Sequence, residues 1–82
     1  MPLARGTETA VLYVDGSEES LRTIELLRSK GIEVRVIDTR SNGTKAELLI
    51  EYGTNMTPLM VIAGLVLAGY DRIREYLEGG HV

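Results

Sequence analysis

The sequence contains no cysteine and only one histidine, His81. Without cysteine the chain can form no disulfide, iron–sulfur cluster or thiolate–metal site, and it carries no cysteine nucleophile. A zinc site would have to draw on carboxylates alone, and a Ser-His-Asp triad would depend on a histidine next to the last residue of the sequence. We therefore expect no metal site, no resident cofactor and no hydrolytic triad.

Long apolar runs and an excess of basic residues are also missing. The longest apolar run, residues 59–68, is interrupted by Gly64 and is far shorter than the roughly 20 residues of a membrane span. The 82 residues carry a net charge of −3 and no basic stripe, so we expect neither a membrane nor a nucleic acid as a partner. The opening residues, MPLARG, lack an apolar core of signal-peptide length, which favours a cytoplasmic location.

The composition that is present is typical of a small globular protein. Hydrophobic residues make up 44% of the chain and charged residues 26%, which is too apolar for a disordered tail. We expect a single domain over residues 1–82, with loose ends at 1–7 and 79–82.

Four apolar segments have the length and composition of β-strands: 9–14, 32–38, 59–63 and 66–68. With the helices between them, the order is β-α-β-α-β-β-α. Strands joined through a helix should be parallel, whereas the last two, joined by a tight turn at Gly64, should be antiparallel. We predict an α/β fold with a four-stranded mixed sheet flanked by three helices.

The three helices have recognisable starts. Ser17 is the predicted N-cap of the first, and Thr44 that of the second, where Glu47 would complete a capping box. The third follows Gly69. The residues that we expect to face the core recur at helical spacing: Leu21, Ile24 and Leu27 in the first helix, Ala46, Leu49 and Ile50 in the second, and Tyr70, Ile73 and Leu77 in the third.

Three segments of the sequence resemble the glutaredoxin branch of the thioredoxin fold. VLYVDGSEES with the following LRTIELL is similar to the family's first strand, C-x-x-C redox turn and first helix. GIEVRVIDT is similar to its second strand. TPLMVIAGLVLAGYDRIREYL is similar to its Thr-Val-Pro loop, terminal hairpin, Gly-Gly-x-Asp turn and last helix. The resemblance covers residues 8–78 and implies the same fold.

This sequence has Ser17 and Ser20 at the positions of the family's two redox cysteines. A thiol at a helix N-terminus is stabilised as thiolate, whereas a serine hydroxyl does not ionise near neutral pH and forms no disulfide. The resemblance therefore implies a catalytic pair that is inactive as serine. Ser17, Glu18 and Glu19 are also what an ordinary helix start requires. Two alternatives remain open. One is a redox protein whose two native cysteines have been exchanged for serine, and the other is a serine-based binding role.

The resemblance also implies a ligand groove. In the family, the proline that corresponds to Pro58 follows a cis peptide bond and faces the redox turn. The backbone of Thr57 would then lie beside Ser17 and could pair with an extended peptide. Asp71 matches the acidic residue that binds the α-amino group of glutathione, although such a residue also suits a first helical turn. The other residues assigned to the groove are Tyr13, Asp15, Glu19, Gly69 and Tyr70.

Charge at this site argues against glutathione. Asp15 lies close to where glutaredoxins carry a lysine, and Glu18 and Glu19 add two negative charges within a turn of the site. Glutathione is itself negatively charged near neutral pH, so we expect it to be a disfavoured ligand and the partner to be neutral or cationic.

Three functions fit these observations. The first is a redox-inactive glutaredoxin-like domain that binds a peptide or protein segment at the face formed by Ser17 and cis-Pro58. The second is a thiol–disulfide oxidoreductase of cell redox homeostasis whose cysteines have been exchanged for serine. The third is a structural interaction domain whose surface lies elsewhere, such as the edge of the strand that contains Val66.

Overall fold

The computed structural model describes residues 10–40 and 43–80, which follow the predicted order of strands and helices. The elements are β1 (Ala10–Val14), α1 (Glu18–Ser29), β2 (Val34–Asp38), α2 (Thr44–Tyr52), β3 (Leu59–Ile62), β4 (Leu65–Ala68) and α3 (Tyr70–Glu75). α3 continues into a wider turn at Tyr76–Gly80. None of the described helices is long and apolar enough to cross a membrane. Residues 1–9, which include the expected loose end at 1–7 and the first residue of the predicted first strand, lie outside the described residues, as do 41, 42, 81 and 82.

The sheet has the strand order β2-β1-β3-β4. β1 and β2 are parallel because α1 connects them as a crossover, whereas β3 runs antiparallel to β1 and to β4. Ala63 and Gly64 join β3 to β4 with φ angles of 51° and 81°, the left-handed backbone that a two-residue hairpin turn requires. The predicted α/β fold with a four-stranded mixed sheet is confirmed.

The core lies between one face of the sheet and the pair of helices α1 and α3. Leu12 of β1, Met60 of β3, Leu27 of α1 and Ile73 of α3 are completely buried and belong to one cluster. Each side chain of this size contributes roughly 1.5–3 kcal/mol when it is buried. The predictions that Leu27 and Ile73 face the core are confirmed.

α1 begins where predicted, but its buried face is different. Leu21 is 56% exposed, whereas Ser20 and Thr23 are completely buried. The Thr23 hydroxyl donates to the carbonyl of Glu19 at 2.8 Å, so its burial leaves no hydroxyl unsatisfied. The prediction for Leu21 is wrong because the spacing of aliphatic residues does not reveal hydroxyls that find partners within their own helix.

The start of α2 also departs from the prediction. Its N-cap is Gly43, with a φ of 79° and no side-chain capping bond. Thr44 is the first helical residue instead of the cap, so the capping box with Glu47 does not form. The helix ends at Gly53, as predicted, with the left-handed backbone typical of a C-terminal glycine.

α2 turns a different face towards the sheet from the one predicted. Leu48 is buried, whereas Leu49 and Ile50 are 51% and 85% exposed. The inward row therefore runs through Leu48 and Tyr52, four residues apart, and the aliphatic row of Ala46, Leu49 and Ile50 faces outward. The two rows lie side by side on the helix, and counting aliphatic residues selects the wrong one.

β2 is shorter than the predicted segment 32–38 and lies at an edge of the sheet. Val36 is 45% exposed, although the alternation of apolar and polar residues along its strand predicts that it faces the core. An edge strand has a neighbour on one side only, so its apolar residues are covered less completely.

Candidate functional site

Three elements meet at one end of the sheet and bring together part of the predicted site: Asp15, Ser17, Ser20, Thr57 and Pro58. β1 and β3 are antiparallel neighbours with Tyr13 opposite Leu59, so the loop that leaves β1 lies beside the segment that enters β3. The Thr57–Pro58 peptide bond in that segment is cis, and Pro58 is completely buried. α1 begins at the same end, directly after Asp15 and Gly16.

The carboxylate of Asp15 joins these elements through hydrogen bonds. Oδ1 accepts the backbone N–H of Ser17 at 3.0 Å and the hydroxyl of Ser20 at 3.1 Å. Oδ2 accepts the hydroxyl of Thr57 at 2.8 Å, across 42 residues of sequence. We refer to Asp15, Ser17, Ser20 and Thr57 as the Asp15 cluster.

The cluster stabilises the ionised form of Asp15. Hydrogen bonding from the side chain and backbone of Ser17, from the Thr57 hydroxyl and from Ser20 holds the pKa of the Asp15 carboxyl far below its usual range, although partial burial opposes this. Asp15 is therefore a fixed negative charge at neutral pH.

Ser17 and Ser20 are joined to each other as well as to Asp15. Ser17 is the N-cap of α1, as predicted: its Oγ accepts the backbone N–H of Ser20 at 3.2 Å. The Ser17 hydroxyl donates to Ser20 Oγ at 3.2 Å, and Ser20 Oγ also accepts the backbone N–H of Asp15 at 3.3 Å. Ser20 is completely buried and Ser17 is partly exposed, so of the two hydroxyls only that of Ser17 is open to a ligand.

This arrangement does not activate a nucleophile. Hydrogen bonds run from Ser17 through Ser20 to Asp15, which has the form of a proton relay. However, a carboxylate whose pKa is so strongly lowered is a poor general base. Within residues 10–40 and 43–80, no group of three histidine or carboxylate side chains could hold a metal ion.

The backbone of Thr57 is the unpaired part of the site. Among the described residues, no group pairs with its N–H or its C=O. Its side chain, in contrast, is held by Asp15, and the next carbonyl, that of Pro58, accepts the backbone N–H of Gly69 at 2.8 Å. Thr57 therefore presents a donor and an acceptor on a segment that is fixed on both sides.

Arg40 also contributes to the site, although the sequence did not indicate it. Its guanidinium binds the carboxylate of Asp38 through two nitrogens, at 2.7 and 3.1 Å, and lies against Gly16, where an added Cβ would come within 2.7 Å of Nη1. β1 and β2 are parallel, with Val14 opposite Asp38, so the loops that follow them meet at one edge. That topology, together with a basic residue just after the second strand, is the signal that could have identified Arg40.

Comparisons with known proteins agree with this topology. Neither protein-family models nor curated protein sequences match the chain, but solved structures do. A buckwheat glutaredoxin–glutathione complex superposes with a TM-score of 0.74, at 19% identity, over 90% of this chain and 73% of that one. The holo form of glutaredoxin C1 from Populus tremula x tremuloides gives 0.72, at 20% identity, over 85% and 75%. This chain has the glutaredoxin-like thioredoxin fold.

A glutaredoxin from the archaeon Archaeoglobus fulgidus is closest to this glutaredoxin-like chain in length among these three structures. It superposes with a TM-score of 0.70, at 19% identity, over 93% of this chain and 91% of that one. Likeness at this level of identity establishes the fold, and it leaves ligand and activity to be argued from the residues of the site.

Within the described residues, no hydrogen bond joins the side chains of the remaining predicted groove residues to the Asp15 cluster. Tyr13 packs against Tyr52 of α2, with ring centroids 6.4 Å apart and ring planes inclined at 57°. The sequence did not indicate Tyr52, and burial followed by the nearby Tyr13 raises its pKa. Tyr13 therefore faces α2, and within the described residues it has no hydrogen bond to Asp15, Ser17 or Thr57.

The start of α3 completes the surroundings. Gly69 is tied to Pro58 as described above, and the Met56 sulfur lies 3.7 Å from where a Cβ of Gly69 would be. Tyr70 has the guanidinium of Arg74 5.9 Å from its ring centre. Asp71 is exposed and lines an open, charged groove on α3. Glu19, also predicted for the site, is exposed, and its described hydrogen bond is made by its backbone.

Proposed function

We propose that this chain is a glutaredoxin-like domain without redox activity, which binds an extended peptide or protein segment at the face formed by Ser17, Thr57 and Pro58. The observation that carries the proposal is the backbone N–H and C=O of Thr57, which no described residue pairs with, beside the N-terminus of α1. An extended segment that lies against Thr57 gains two main-chain hydrogen bonds in the manner of strand addition.

The absence of redox activity follows from the chemistry of the two serines. Thiol–disulfide exchange requires a thiolate that attacks sulfur, and the chain has no cysteine. In this chain the hydroxyls of Ser17 and Ser20 are engaged in the Asp15 cluster, where Ser17 caps α1 and Ser20 is buried. Both serines thus hold the loop between β1 and α1, whose Asp15 carboxylate accepts the Thr57 hydroxyl.

The charge of the site favours a neutral or cationic segment. Asp15 is ionised, and Glu18 and Glu19 are exposed in the first turn of α1. Arg40 is the nearby cation, but its guanidinium is paired with Asp38. An anionic ligand such as glutathione is repelled by the three carboxylates, by a modest amount that falls as salt is added.

Chemical-shift titration of the 15N-labelled protein tests this proposal. The probes are reduced glutathione and two acetylated and amidated tripeptides, Ala-Val-Ala and Ala-Lys-Ala. We expect the amides of Ser17, Thr57 and Gly69 to shift with both tripeptides at millimolar concentration, and less with glutathione. Shifts confined to Leu65 and Val66 would favour the edge of β4 as the interaction surface, and no shift in any titration would contradict peptide binding at Thr57.

Paired variants test the role of charge in the same titration. Replacing Glu18 and Glu19 by glutamine should strengthen glutathione binding by a few-fold, because two repulsive charges near the ligand are removed. The matched control is the double variant Glu25→Gln with Glu33→Gln, which removes two exposed glutamates outside the first turn of α1. An equal gain in both variants would show that net charge, and not the site, controls glutathione binding.

A second candidate function is favoured by the distance between the two serines. Their Oγ atoms lie 3.2 Å apart, so sulfurs in their places would have to approach by only about 1 Å to form a disulfide bond of roughly 2.05 Å. If the chain represents a thiol–disulfide oxidoreductase with serine in place of cysteine, Ser17→Cys with Ser20→Cys should form a disulfide in air and reduce a disulfide substrate with glutathione present. A double variant that forms its disulfide but reduces nothing would support the binding function.

A further inference from the structure

Asp15 accepts hydrogen bonds from three residues at the proposed binding face: Ser17, Ser20 and Thr57. We propose that Asp15 is a positioning residue, whose Oδ2 holds the Thr57 side chain so that the Thr57 backbone is presented to a partner in a single geometry. This inference rests on the proposed function and names the residue that prepares the site for binding.

The two carboxylate oxygens of Asp15 have separate roles. Oδ1 serves the start of α1 through Ser17 and Ser20. That helix is already capped by the Ser17 hydroxyl, so the bond from Oδ2 to Thr57 adds nothing to the helix start. Its effect is on the segment that enters β3.

Few other hydrogen bonds hold residues 54–57, the segment that carries the Thr57 side chain. Met56 is 55% exposed, and its backbone N–H bonds locally to Thr54 at 3.2 Å. Between residues 54–57 and the loop leaving β1, the bond from Thr57 to Asp15 is the one side-chain hydrogen bond found among the described residues. Without it, a partner would have to order Thr57 as it binds, and that conformational entropy would be lost from the affinity.

Ionisation of Asp15 strengthens the hydrogen bond from Thr57. The pKa of Asp15 is far below its usual range because Ser17, Thr57 and Ser20 donate to it, and a hydrogen bond to a charged acceptor is stronger than one between neutral groups. No change in redox state or protonation near neutral pH releases Thr57. The site is therefore prepared for binding at all times, which distinguishes it from a site controlled by a thiol.

The first experiment needs no ligand. The side-chain order parameter of the Thr57 methyl group is measured by 13C relaxation in the wild type, in Asp15→Ala and in Glu25→Gln, which removes the same charge from an exposed position outside the site. We expect order to fall only in Asp15→Ala, with the melting curves showing that all three proteins are folded. Equal Thr57 order in all three proteins would overturn the proposal.

The second experiment measures affinity for the uncharged Ala-Val-Ala tripeptide, so that long-range charge does not contribute. Thr57→Val removes the hydroxyl that Asp15 binds, and keeps the shape of the side chain and the bonds to Oδ1. We expect it to weaken binding about tenfold, whereas Thr57→Ser, which keeps the hydroxyl, should stay within about twofold of the wild type. Equal affinity of Thr57→Val and the wild type would contradict the positioning role.

The two experiments separate this inference from the function on which it rests. If the wild type binds no tripeptide, the proposed function fails, and the Thr57 methyl measurement still decides whether Asp15 orders the segment. If the wild type binds and Thr57→Val binds equally well, peptide binding stands and Asp15 is not its positioning residue.

Discussion

The two faces of the sheet are covered very differently. Successive residues of a strand point to opposite faces, so Leu12 and Tyr13 mark the two sides. On the side of Leu12, α1 and α3 pack together over completely buried residues. On the side of Tyr13, α2 contributes buried Leu48 and the ring of Tyr52 and leaves Ile50 almost fully exposed.

This difference explains where the candidate site obtains its rigidity. The Asp15 cluster is built from the end of β1, the start of α1 and the segment entering β3. All three elements contribute to the well-packed face through Leu12, Leu27 and Met60, and α2 contributes nothing to the cluster. We expect the site to keep its geometry when α2 is loosened and to lose it when α1 is loosened.

Removing the same side chain from the two helices should give the largest contrast. Leu27→Ala leaves a cavity under α1 and should lower the free energy of unfolding by about 2–5 kcal/mol. Leu49→Ala removes a half-exposed side chain from α2 and should cost less than about 1 kcal/mol. Urea denaturation of both variants measures this. Equal losses would show that α2 is as well packed as α1.

Glycine replacements should give the next largest effect. Gly16 and Gly53 both have positive φ, 81° and 77°, which costs an alanine about 1–2 kcal/mol. An added Cβ meets Arg40 at Gly16, whereas none of the described atoms lies within 4 Å of it at Gly53. Gly16→Ala should therefore be the more destabilising in the same urea assay, and the difference should shrink when Arg40 is also replaced by alanine. An unchanged difference in the Arg40→Ala background would mean that the guanidinium moves aside freely.

Alanine variants at the starts of α1 and α2 should differ in free energy of unfolding by about 1 kcal/mol. Ser17→Ala removes the capping bond of α1 and should cost about that much. Thr44→Ala removes no cap, because Thr44 makes no capping bond in α2, and alanine favours the helix slightly more than threonine does. We expect its melting temperature to be unchanged or slightly higher. If Thr44→Ala lost as much stability as Ser17→Ala, the result would indicate that Thr44 caps α2 and that the predicted capping box forms.

The smallest of these effects is the loss of stability in acid that we expect from the Asp15 cluster. The folded pKa of Asp15 is lowered, so its contribution to stability is fully present above its unfolded pKa of about 4 and is lost as the pH falls further. Asp38, whose pKa Arg40 lowers to about 2, acts in the same range. Asp15→Asn should therefore be less stable than the wild type near neutral pH and approach it in acid.

Urea midpoints measured from about pH 7 down to about pH 3 test this pH dependence. The control is Glu25→Gln, which removes an exposed carboxylate further along α1 and leaves the Asp15 cluster intact. A stability difference between Asp15→Asn and the wild type that is constant with pH would contradict the role assigned to Asp15.

Local rules were sufficient for much of the fold and for one part of the site. The N-cap at Ser17 follows from residue type and position, and the relative directions of β1 and β2 and of β3 and β4 follow from the crossover and the hairpin. The inward row of α2 could not be predicted, because it depends on the contact of Tyr52 with Tyr13 on a strand more than 30 residues away in sequence.

Long-range contacts also account for what was missed at the site. From the sequence, Asp15 is a groove residue whose negative charge repels an anionic ligand, with no indication of its hydrogen-bond partners. The structure shows that its carboxylate is an acceptor for Ser17, Ser20 and Thr57, and the Thr57 bond spans 42 residues. Arg40 reaches Gly16 only because two parallel strands end together. The Thr57 contact leaves no pattern in the neighbouring residues, and the Arg40 contact can be inferred only once β1 and β2 are known to be parallel neighbours.

The packing of Tyr13 on Tyr52 gives the weakly covered face an intrinsic optical reporter. The chain has four tyrosines and no tryptophan, so aromatic circular dichroism and emission near 300 nm arise from tyrosine without a stronger chromophore to obscure them. These two rings lie 6.4 Å apart, one on the sheet and one on α2. Detachment of that helix would therefore be visible in the near-ultraviolet spectrum of the unlabelled protein before the rest of the molecule unfolds.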